Sequence, residues 1–199
     1  MSVRIYVEGG SQGSTKADCR QAFRSFFAKV VPAGSFKVIA SGSRGAAYQD
    51  FCAALKKHPD EYVILLVDSE EPVGAGVWQH LSSRQGDVWP RPTTATEDQA
   101  HLMVQVMESW FLADRNVLSD YYGQGFLLGS LPGQPNIELI SKKDVFSSLE
   151  IASKNTLKGK YHKTRHGFDL VERIDPNLVR AASPHANRLL AVLENKTRN

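Results

Sequence analysis

The sequence predicts an α/β fold, a parallel central sheet flanked by helices with a smaller, mainly helical C-terminal extension. Three observations lead there. Short apolar β-type runs alternate with amphipathic helical segments through the first half of the chain. The run Tyr62–Val67 is apolar at nearly every position, as a central strand covered on both faces must be. Two such runs end in acids, Val3-Arg4-Ile5-Tyr6-Val7-Glu8 and Tyr62-Val63-Ile64-Leu65-Leu66-Val67-Asp68-Ser69-Glu70. In an α/β sheet, ligands bind in the loops beyond the carboxyl ends of the strands, so this spacing places Glu8, Asp68 and Glu70 around one crevice.

The elements follow in order. After the first strand, Gly9-Gly10-Ser11-Gln12-Gly13-Ser14 reads as a flexible loop, and Thr15 is a candidate cap for a helix running to about Val31. Cys19, Ala22, Phe23, Phe26, Phe27 and Val30 form its apolar face, with Arg20 and Arg24 on another. Pro32-Ala33-Gly34 ends that helix, and Phe36–Ala40 is the second strand. Ser41-Gly42-Ser43 then leads into a helix that turns Ala47, Phe51, Ala54 and Leu55 inward.

The third strand, Tyr62–Val67, gives way to a long irregular stretch, Glu71–Gln99, rich in Gly and Pro, with one short helix near Val77–Ser82 and the character of a lid. His101–Val106 is read as a fourth strand, followed by a helix bearing Met107, Trp110 and Phe111. Beyond Tyr121 come short apolar pieces, a helix over Asp144–Ser153, a basic loop over Lys154–His166, a last helix over Pro184–Glu194, and a frayed end, Asn195–Asn199. This divides the chain into a core, residues 1–115, and an extension packed on it, residues 116–199.

Composition narrows the function classes. With 42% apolar residues the chain can bury a sizeable core, which excludes disorder throughout. A formal charge of +3 permits nucleic-acid binding only through local clustering of basic side chains. Two cysteines, both on helical segments, make a disulfide framework improbable, and no apolar run approaches the roughly 20 residues that span a bilayer. Nothing resembles a signal peptide, so a soluble, cytoplasmic protein with no membrane partner is expected. Zinc-type Cys/His spacing and the G-x-x-x-x-G-K-[ST] phosphate loop are both missing.

The acids admit two readings: solvated groups at strand ends, or ligands of a shared metal ion. Asp68 and Glu70, two residues apart, point to one side of an extended segment, and Glu8 arrives from another strand to face them. Hard cations such as Mg2+ or Mn2+ favour such oxygen donors, so three clustered carboxylates suggest a divalent-metal site. Glu8 is also a candidate to move protons. Glu108 is a candidate fourth ligand, equally readable as a helix-terminus acid; for Asp114 the helix-terminus reading is the better one. Arg44, at a strand-to-helix turn, is a candidate phosphate contact alongside its plainer reading as a surface arginine. The basic loop reads on composition alone as an ordinary exposed loop; in the functional reading Lys160, His162, Lys163 and His166 are candidate substrate contacts, with His162 or His166 a candidate proton shuttle and Tyr161 placed to stack a base. His80 and His101 read as packed rather than ligating, and Trp78, Trp89 and Trp110 as packing residues.

A Glu after the first strand and a D-x-D-like pair after the third resemble the Toprim catalytic domain of topoisomerases, primases and OLD-type nucleases, over residues 1–115. Glu70 stands where that family has its second Asp. The chain is more closely similar, over nearly its whole length, to a bacterial Toprim-related family. The shared motifs are Val7-Glu8-Gly9, Gly42-Ser43-Arg44, Asp68-Ser69-Glu70, Met107-Glu108-Ser109-Trp110-Phe111 and Tyr161-His162-Lys163-Thr164-Arg165-His166. The resemblance implies a Mg2+- or Mn2+-dependent nuclease hydrolysing DNA or RNA phosphodiesters. It also implies a partner ATPase of the ABC or AAA type and a role as effector in antiphage defence. The alternatives are a hydrolase or phosphotransferase of small nucleotides, and a noncatalytic module that binds nucleic acid or an ATPase.

Overall fold

The computed structural model describes residues 2–10 and 15–198; Ser11–Ser14 of the expected glycine-rich loop lie outside the described residues. Strands β1 (Val3–Glu8), β2 (Phe36–Gly42), β3 (Tyr62–Asp68) and β4 (Ala100–Met103) form one sheet of order β2-β1-β3-β4, parallel at every pairing. The fold is therefore α/β with a four-stranded parallel sheet flanked by helices. Strand order reverses between β1 and β3, because β2 lies outside β1 while β4 lies outside β3. Such a switch point opens a crevice beyond the strand ends.

Alternation along the strands sorts the core into two layers. Val3, Ile5, Val7, Ile64 and Leu66 face helix α1 (Thr15–Ala28), while Tyr6, Val63, Leu65 and Val67 face helix α2 (Arg44–Lys57). The apolar stripe of α1 is buried as its spacing predicts, at Cys19, Ala22, Phe23, Phe26 and Phe27. Thr15 is itself part of helix α1 rather than the position before it. Both cysteines are free thiols, and burial pushes that of Cys19 up to about 12.

Beyond β3, helix α3 (Val77–Ser83) is the expected short helix, and the stretch around it is pinned. His80 Nε2 lies 2.9 Å from the Ser69 carbonyl, the Trp78 indole donates to the Thr96 carbonyl at 3.1 Å, and Trp89 stacks on Tyr48.

Strand β4 ends at Met103, three residues short of the expected Val106. Met103 is paired with Asp68, the last residue of β3; beyond it the Ser69 and Glu70 amides still donate to the Met103 and Gln105 carbonyls, but the chain turns at Glu70, which has φ 66°, and the regular ladder ends. The stretch Met107–Ala113 is 3-10 helix, with Trp110 fully buried against Phe23 and Phe26.

The C-terminal region is helical: α4 (Arg115–Tyr122), α5 (Lys142–Ser153), α6 (Lys163–Arg173), α7 (Pro176–Ala182) and α8 (Pro184–Arg198). Its buried side chains, including Leu149, Leu170, Val171 and Leu190, join the same cluster as α1 and the sheet. Two expectations change here. The basic segment is a loop only to His162; from Lys163 it is helix α6, held by burial of His166, Gly167, Leu170 and Val171 on one face. The last helix runs to Arg198 rather than fraying at Asn195, because Leu189, Leu190 and Leu193 anchor it and the Thr197 hydroxyl donates to the Leu193 carbonyl. No helix among the described residues is long and apolar enough to cross a membrane.

Phe26 carries much of the contact between α1 and the 3-10 segment, stacked at 5.2 Å on Trp110 and edge-on to Phe27. Phe26→Ala is expected to cost about 3–5 kcal/mol, seen in urea unfolding as a lower midpoint at an unchanged slope.

Candidate metal centre

The carboxyl ends of all four strands and a helix of the C-terminal region converge on one crevice. Glu8 closes β1, Asp68 closes β3, and Glu70 follows β3 after a single residue. One carboxylate oxygen from each of the three lies within 4.8 Å of the others. The backbone enforces this: the Asp68 amide donates to Glu8 Oε2 at 3.1 Å, tying the two strand ends together. Asp68 is almost wholly buried. Its Oδ1 accepts from the Met107 amide at 2.7 Å and so caps a 3-10 helix whose own preceding residue, Val106, supplies no side-chain cap. Oδ2 is left facing the crevice side of the cluster, 3.7 Å from Lys163 Nζ.

A cavity of about 410 Å³ opens here, lined among others by Glu8, Ser43, Arg44, Asp68, Lys163 and Phe168. Gly10 lets the chain leave β1 around its edge. With φ 70°, it sits where a Cβ would meet the Thr15 carbonyl and the Lys16 backbone at 2.6 Å.

Charge is distributed unevenly. Burial is the largest influence on both Glu8 and Asp68 and raises both pKa values, that of Asp68 far above the ordinary carboxylate range. Arg44 works against the shift at Glu8; at Asp68, Glu8 adds to it while Lys163 opposes it. Burial alone would lower the ammonium pKa of Lys163, but Asp68, Glu108, Glu8 and Glu70 outweigh it and raise that pKa.

The candidate residues fall into two groups. Glu8, Asp68, Glu70, Arg44, Glu108 and Lys163 come together. Arg44 reaches Glu8 Oε2 at 3.1 Å and donates to the Asp68 carbonyl, but its remaining nitrogens are held by Asp87, at 2.6 Å from Nη2, and its guanidinium lies over Trp89. It therefore braces the carboxylates rather than presenting an open fork to an anion. Glu70 is paired with Lys142. Glu108 is fully buried, accepts from the Tyr161 hydroxyl at 2.9 Å, and lies 3.7 Å from Lys163 Nζ.

Lys160, His162 and His166 stand apart from this cluster. Lys160 pairs with Glu150 on the surface, and exposed His162 contacts the Thr164 hydroxyl through Nδ1. Buried His166 shares its Nδ1 between the Tyr122 hydroxyl and the His162 amide, and burial lowers its pKa. Tyr161 is buried with its hydroxyl committed to Glu108, so it does not offer a face to a base. Asp114 takes the helix-terminus role, accepting from Val117 at the start of α4 and from the Asp175 amide. His101 is buried with its pKa lowered to about 3, chiefly by burial, and bonds the Asp98 carbonyl; it is a packed residue.

Sequence reasoning missed Asp87, Lys142 and Phe168. The first two are charge partners reached across 43 and 72 residues, for which no local pattern exists. Phe168 was findable only with α6 in place.

The chain matches, over residues 7–194, the family described as Domain of unknown function (DUF4276), and it belongs to that family. No curated protein and no solved structure matches it.

Asp68 and Glu8 bind protons more tightly in the folded chain than in the unfolded one. Their contribution to stability is therefore full at low pH and is lost as the pH rises through the raised values. Asp68→Asn keeps an acceptor for the Met107 amide and removes the buried charge. Its melting temperature is expected to exceed that of the parent chain by an amount small near about pH 4 and widening towards about pH 8, by about 2–4 °C for each ~1 kcal/mol relieved. Thermal unfolding followed across that pH range measures it.

Proposed function

We propose that this protein is a Mg2+- or Mn2+-dependent hydrolase of nucleic-acid phosphodiesters, with Glu8, Asp68 and Glu70 as the metal ligands. The observation that carries the reading is the convergence of one oxygen from each of these acids within 4.8 Å, at the switch point of the sheet and beside an open cavity. The donor set fits the ion: it is all oxygen, as hard divalent cations prefer. Its strongest member is held with a raised proton affinity that a nearby cation would relieve. A divalent ion bound there would neutralise charge on a phosphodiester and lower the pKa of a bound water.

The chain's own groups supply the rest. Lys163, half exposed and lining the cavity, presents a positive charge to an incoming phosphate, and Thr164 lines the same wall. Arg44, fixed by Asp87, keeps Glu8 directed at the Asp68 backbone. The sequence resemblance to Toprim nucleases points to the same chemistry.

A second reading, hydrolysis of a small nucleotide, is favoured by one feature: the cavity, at about 410 Å³ and walled partly by Met103, Met107 and Phe168, is of the size that encloses a single small ligand.

Purified protein is expected to cleave nucleic acid only with added Mn2+ or Mg2+. Glu8→Gln and Asp68→Asn should each lower the rate by more than the ~10–100-fold that loss of an outer partner costs at a metal site, with the fold retained by circular dichroism. Cleavage that persists in both variants removes the proposed site. Turnover of mononucleotides or short cyclic nucleotides with oligonucleotides untouched selects the second reading.

A further inference from the structure

We propose that Lys163 is a built-in second cation: its ammonium occupies the place between Asp68 and Glu108 that a second divalent ion would take, so the centre binds one metal ion. The inference rests on the metal-dependent reading above and deepens it.

Glu108 is the starting point. It is fully buried, and its Oε1 accepts from the Tyr161 hydroxyl, yet its Oε2 is buried with no hydrogen-bond partner. A buried carboxylate left half-satisfied is costly unless a positive charge lies close by. That charge is Lys163 Nζ, 3.7 Å from Glu108 Oε1 and 3.7 Å from Asp68 Oδ2. A charge-assisted hydrogen bond would be about 2.7–2.9 Å, so the ammonium is committed to neither oxygen and is shared between them as a counter-charge.

The local balance points the same way. Arg44 attends Glu8 and Lys142 attends Glu70, which leaves Asp68 and Glu108 with Lys163 between them. A second divalent ion on Asp68 and Glu108 would need their oxygens at about 2.0–2.1 Å. An ammonium poised 3.7 Å from an oxygen of each occupies the space that ion would need and repels it. Two-metal centres hold their ions about 3.5–4 Å apart, so that each attends one oxygen of the reacting phosphate. Lys163 lies in the first turn of α6 and lines the cavity, and it therefore supplies a second positive charge without a second ion.

Counting ions tests this without reference to turnover. After equilibrium dialysis against Mn2+ alone and elemental analysis, the parent chain is expected to hold one ion. Glu108→Gln should also hold one, Lys163→Met two, and the double variant Lys163→Met/Glu108→Gln one again. Two ions on the parent chain, or one on folded Lys163→Met, overturns the proposal. So does loss of the ion from Glu108→Gln, a comparison that stands even if Lys163→Met does not fold. An absence of bound Mn2+ from every protein is a different result: it removes the metal reading itself, and this inference with it.

Discussion

The hydrogen bond from the Asp68 amide to the Glu8 carboxylate is the contact on which the centre depends. It exists because β1 and β3 are parallel neighbours in register, with Val7 opposite Leu66, so the two strands deliver their terminal acids to the same edge of the sheet. An antiparallel pairing would have sent one of them to the far end. The same adjacency makes the region a switch point, where the helices after β1 and β3 diverge and a crevice remains. Topology thus creates the space and the charge that fills it together.

That arrangement is destabilising on its own terms. Two carboxylates with raised proton affinity, beside a fully buried third, are a poor way to build a core. The molecule offsets the cost with cations drawn from far along the chain: Arg44 from the start of α2, Lys142 from the start of α5 and Lys163 from the start of α6. The helical C-terminal region therefore completes the centre as well as covering the sheet. Tyr161 and Lys163, adjacent to or opening α6, reach acids that belong to the sheet edge and to the 3-10 segment beyond it. Arg44 links the centre to the stretch after β3 through Asp87 and Trp89, so that stretch is a wall of the site held by ion pairs and ring stacking.

Much of the sheet half was legible because its signals are local. Alternating apolar positions in β1, the continuous run of β3 and the three-and-four spacing of α1 each follow from burial on one or both faces. The position of acids after two strands then follows from counting. Helix α6 was not legible: its buried face is made by His166 and Gly167 as well as Leu170 and Val171, and its charged remainder reads as a basic loop. The fates of Tyr161, His166 and Arg44 were hidden for a related reason. Each is consumed by a partner brought in by tertiary packing, and a side chain that looks available in sequence is spent in the fold.

Everything at this site follows from whether the three clustered acids hold a cation. Crystals grown with Mn2+ and measured near the manganese absorption edge give the most direct answer. One anomalous peak is expected, bounded by Glu8, Asp68 and Glu70, with the Lys163 ammonium still between Asp68 and Glu108. A peak elsewhere on the molecule, or none at saturating Mn2+, would contradict that expectation.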